Sequence, residues 1–65
     1  MDGAIKTLRT DKGFGFILGD DHQEYFVHRS AFGAESFEHL REGQRVTFDG
    51  SHGDKGPRAE NVRLA

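Results

Sequence analysis

The side chains with the most chemical meaning lie in two short runs, Lys12-Gly13-Phe14-Gly15-Phe16-Ile17 and Tyr25-Phe26-Val27-His28. Flat rings interleaved with a lysine and a histidine suit stacking on unpaired bases, because every base has a π-face and every nucleotide a phosphate. Other groupings offer less. His22, His28, His39 and His52 contain no i, i+4 pair, and without cysteine no zinc pattern forms, so no metal site is expected. Three of them read as solvated loop residues, while His28 falls on the aromatic run as a stacking or phosphate-binding group. Asp20, Asp21 and Glu24 form a carboxylate cluster, yet two-metal nuclease chemistry needs further carboxylates converging on it. On a hairpin turn they read as a solvated tip or, alternatively, as a group that repels phosphate and marks an edge of a binding track. Gly53-Asp54-Lys55-Gly56-Pro57 lacks the GxxxxGK[ST] pattern of a nucleotide-cradling loop and reads as turn chemistry.

The elements that would carry these residues are short. Ala4–Arg9 mixes apolar and cationic residues and stops at the turn-like Thr10-Asp11-Lys12-Gly13, which makes it strand one. Gly13–Leu18 and Tyr25–His28 form a hairpin around a polar turn at Gly19–Glu24. Arg29–Gln44 reads as a long loop with short helical pieces, Ser30 and Ser36 being candidate caps. Arg45–Asp49 alternates as a fourth strand, a glycine-rich turn follows, and Arg58–Leu64 is the fifth. Nine glycines and one proline fit many turns. Five short antiparallel strands cannot make two well-covered sheets, and an open sheet leaves unpaired edges, so closure into a small all-β barrel is expected.

Side chains alternate along a strand, so Lys12, Phe14 and Phe16 share one face, and Phe26 and His28 join them from the next strand. The opposite face holds Ile17, Tyr25, Val27 and two glycines, which suits a tight barrel interior. The competing reading buries Phe14 and Phe16. A lysine and a histidine on their face weigh against it, since both bury poorly without partners.

Sixty-five residues make one domain, 1–65, and at this size only about 60% of the unfolded surface is removed from water. With no cysteine the fold must hold by packing alone, which fits a reducing compartment. No run approaches the roughly 20 apolar residues of a membrane span. Met1-Asp2-Gly3 resembles neither a signal peptide nor a myristoylation sequence, and a soluble cytoplasmic monomer is expected. A net charge of −2 argues against indiscriminate binding to duplexes, though not against a local basic face.

The two aromatic runs closely resemble the two ribonucleoprotein motifs of the bacterial cold-shock protein family. The resemblance extends through Gly3–Lys6, His28–Ala31, Leu40–Phe48 and Gly53–Val62, in family order and spacing. It implies a five-stranded antiparallel OB-fold barrel that binds single-stranded RNA and DNA with little sequence selectivity, as an RNA chaperone or transcription antiterminator. By the same resemblance the binding residues are Lys6, Lys12, Phe14, Phe16, Phe26, His28 and the loop aromatic Phe37. Two positions depart from the family. Thr7-Leu8 stands where Trp-Phe is usual, so Thr7 removes the largest stacking ring. Arg29 replaces an aromatic residue with a guanidinium plane that can stack and meet phosphate. Tyr25 also stands where a small β-branched residue is common. Arg58 is a further candidate for phosphate contact.

An enzyme would need a nucleophile, a base and a charge stabiliser held in a pocket, and a thin barrel with outward rings offers none. No catalytic residue, cofactor or small-molecule substrate is therefore expected. The alternative to nucleic-acid binding is a protein-interaction barrel in which that binding has weakened.

Overall fold

The computed structural model describes residues 1–32, 37–54 and 56–65. Five strands, β1 (Asp2–Arg9), β2 (Phe14–Gly19), β3 (Glu24–His28), β4 (Arg45–Gly53) and β5 (Gly56–Leu64), close into a barrel in the order β1-β2-β3-β5-β4. Two single 3-10 turns, Arg29–Phe32 and Phe37–His39, supply the short helical pieces expected of the long loop. Ser36, the second candidate cap, lies outside the described residues.

Four seams are antiparallel and the fifth, β3 against β5, is parallel, with Phe26 opposite Arg58. The parallel seam is a geometric necessity: an odd number of strands cannot alternate direction all the way around a closed ring. The tight β1–β2 turn is closed by the Gly13 N–H, which donates to the Arg9 carbonyl at 2.8 Å with Gly13 at φ 76°. That left-handed conformation favours glycine.

The stretch expected as a glycine-rich turn is mostly paired hairpin. β4 and β5 stay in register from Gly50↔Ala59 through Gly53↔Gly56. Ladder hydrogen bonds come from the backbone and do not need side chains, and Pro57 is tolerated because it sits near the beginning of its strand.

Inside the barrel Ile5, Ile17, Val27, Val46 and Val62 are almost wholly shielded from water. They occupy the inward positions that alternation assigns. Tyr25 joins them, its ring edge-on to Phe48 at 4.9 Å between centroids. Gly15 also faces inward, where a Cβ would collide with the Thr7 carbonyl oxygen. Its missing side chain lets β1 approach β2 closely while Phe14 and Phe16 on either side point outward.

Candidate nucleic-acid interface

Cross-strand pairing arranges the outer face of β1, β2 and β3 in rows. Arg9, Phe14 and His28 form one row; Thr7, Phe16, Phe26 and, across the parallel seam, Arg58 form the next. Directly opposed residues on adjacent strands point to the same side. Phe14 and Phe26 stack at 5.7 Å with planes 28° apart, and Phe16 meets both edge-on at 6.2 and 5.9 Å. All three rings are half-buried, because each shields its neighbours, and each keeps a share of its surface open.

β1 reaches this face through a bulge. Ile5 pairs with Ile17 and Thr7 with Phe16, which leaves Lys6 as an extra residue. Strict alternation from Ile5 would turn Thr7 inward and Leu8 outward. The bulge reverses both, placing Leu8 against the core and Thr7 beside Phe16.

The charges are distributed unevenly along the strands. Arg9, Lys12, Arg29 and Arg58 are exposed around the two aromatic rows, and their side chains make no ion pair among the described residues. A third row, Ala4, Leu18 and Glu24, is flanked by acid. There Lys6 Nζ reaches across β2 to Glu24 Oε2 at 3.0 Å, and Arg45 grips Asp20 with two hydrogen bonds of 3.0 and 3.2 Å. Asp21 accepts a 2.6 Å bond from the Tyr25 hydroxyl, which holds its carboxyl below the ordinary range and raises the Tyr25 phenol. The exposed hairpin tip is thus tied down at Asp20 and Asp21.

The 'Cold-shock' DNA-binding domain family matches residues 1–65. The chain belongs to the cold-shock domain family. It is 50% identical over 62 residues to Cold shock protein 2 of Lactiplantibacillus plantarum, covering 95% of this chain and 94% of that one. Cold shock protein ScoF of Streptomyces coelicolor is 46% identical over 64 residues, with 97% and 96% covered. Cold shock-like protein CspB of Bacillus cereus is 44% identical over 62 residues, with 95% of each chain covered. The family is one of nucleic-acid-binding domains, not enzymes.

Phe37, the loop aromatic expected in the binding set, is 8% exposed in this cold-shock domain, with its ring 5.3 Å from that of Phe32. Two phenylalanines in neighbouring 3-10 turns gain more by covering each other and the barrel than either gains in water. A large apolar ring at position 32 was the available signal. Of the other expected residues, the structure brings Thr7, Phe14, Phe16, Phe26, His28 and Arg58 onto the rows described, with Lys12 in the adjoining turn and Lys6 engaged by Glu24.

His28 and Arg58 each have defined surroundings. His28 Nδ1 accepts the Ser30 N–H at 3.2 Å, so in the neutral ring Nε2 carries the proton. The Ser30 hydroxyl lies 2.9 Å from the same nitrogen. Arg58 borders a groove of about 250 Å³ that continues from Phe26 to Gly53, Asp54 and Pro57. Sequence reasoning missed this extension because it depends on the β3–β5 seam, which brings together residues far apart in the chain.

Proposed function

We propose that this cold-shock domain binds single-stranded RNA and DNA with little overall sequence selectivity, as a monomer in the cytoplasm. The observation that carries the reading is the cluster of Phe14, Phe16 and Phe26 on the outside of the barrel, bordered by exposed cations. Bases stack on the three rings, and the His28 ring donates from Nε2 to a phosphate or base oxygen. Lys12, Arg29 and Arg58 neutralise phosphates, with Thr7 beside Phe16 and Lys6 at the acidic border.

Such a face acts by mass action. A ligand that binds only the open strand stabilises it by RT ln(1 + [L]/Kd), about 2.7 kcal/mol at a hundredfold excess over Kd. Weak RNA hairpins yield to that amount and long duplexes do not. This supports a role as an RNA chaperone or transcription antiterminator, which removes misfolded or terminating hairpins without cutting or joining the chain.

The chain has no tryptophan, so anisotropy of a labelled uridine heptamer is a direct readout. Saturable binding is expected, with competition by an unlabelled single strand and little by a duplex of equal length. Equal competition by the duplex, or no binding at low salt, would contradict the reading.

A further inference from the structure

Arg29 occupies a supported position on this face. Its N–H donates to the Gly13 carbonyl at 3.0 Å, and its side chain lies across the same residue. A Cβ built on Gly13 would stand 3.2 Å from Arg29 Cδ and 3.6 Å from Nε, so glycine provides the space in which the arginine stem rests. The stem is therefore backed by the main chain immediately before Phe14, and Arg29 follows His28, the cross-strand partner of Phe14. The side chain is exposed and has no hydrogen-bond partner among the described residues. A planar fork of donors with no acceptor thus stands at the end of the aromatic row.

A base stacked on Phe14 turns its edges, not its face, toward the surroundings, and in a single strand both the Watson–Crick and Hoogsteen edges are open. Guanine has two adjacent acceptors, O6 and N7, on its Hoogsteen edge, which match two donors of a guanidinium. Adenine places its N6 donor beside N7, and uracil places N3–H beside O4, so neither offers that pair. We propose that Arg29 reads guanine at one position of the bound strand, making one corner of an otherwise unselective platform base-selective. This rests on the single-strand reading above. Phosphate also accepts a guanidinium fork, and in a strand without guanine at that position Arg29 meets phosphate as the exposed Arg9 and Lys12 do.

The test is anisotropy titration of a uridine heptamer and of seven variants, each carrying one guanosine, at a single salt concentration. One variant is expected to bind about tenfold or more tightly than the parent. That gain disappears when the guanosine is replaced by 7-deazaguanosine, which lacks the N7 acceptor. It also disappears in Arg29→Lys, which keeps the charge and loses the fork, with thermal melting verifying that the variant is folded. The proposal is overturned if all seven guanosine variants bind like the parent, if the gain survives Arg29→Lys, or if cytidine at the same position gives an equal gain. A protein that binds none of the heptamers overturns the single-strand reading and this inference with it.

Discussion

An aromatic ring on the outside of a barrel and one in its core differ in what their removal does, and this chain contains both kinds. Phe14 and Phe26 stack on each other on the outer face, whereas Phe37 packs on Phe32 within the core cluster. Phe14→Ala and Phe26→Ala are each expected to weaken heptamer binding by about 1–3 kcal/mol, the usual worth of one base stack, while the barrel remains folded. Phe37→Ala should behave oppositely, costing about 3–5 kcal/mol of stability. In a domain of this size that is a large share of the total. Urea denaturation beside anisotropy separates the two classes. Stability loss from Phe14→Ala with unchanged binding would mean that the faces are reversed, and unchanged stability in Phe37→Ala would return that ring to the surface.

At the scale of strands, β1 contributes the least obvious feature. Its bulge adds Lys6 to the outer face, and Glu24 of β3 engages it across β2. Exposed ion pairs contribute little to stability, so its main effect is on what Lys6 can offer a phosphate. Glu24→Gln is expected to tighten single-strand binding a few-fold at low salt, with the gain fading as salt rises and no change in melting temperature beyond a degree or two. Binding unchanged at low salt would show that Lys6 lies off the track.

The alternation in β2 and β3 was legible because a period of two is a property of one strand and needs no partner. Phe14, Phe16, Ile17, Tyr25, Phe26 and Val27 accordingly fall on the expected sides. The bulge was not legible, since it is a register shift between two strands, and neither was the continuation of β4 and β5 through Gly50 to Gly56. Glycine-rich sequence signals a turn by its side-chain deficit, but a two-stranded ladder is satisfied by backbone alone. The packing of Phe37 on Phe32 was not legible either, because the resemblance identifies an aromatic position without showing which neighbour covers it.

Across the whole molecule, a chain with net charge −2 gathers Arg9, Lys12, Arg29 and Arg58 around its aromatic rows and pairs Lys6 and Arg45 with acids beyond them. Four cations release few counterions. The logarithm of the binding constant should fall with the logarithm of salt concentration with a slope of about −3, at roughly −0.7 per phosphate neutralised on a single strand. A slope twice as steep would require a second basic surface.

Backbone amide shift mapping with an unlabelled uridine heptamer tests the location of the binding face most directly. The largest changes are expected on Phe14–Ile17, Tyr25–Arg29 and Arg58, with Asp2, Val46–Asp49 and Arg63 on β1, β4 and β5 nearly unmoved. Shifts concentrated on β4 and the far half of β5, with the Phe14, Phe16 and Phe26 amides unmoved at saturation, would contradict it.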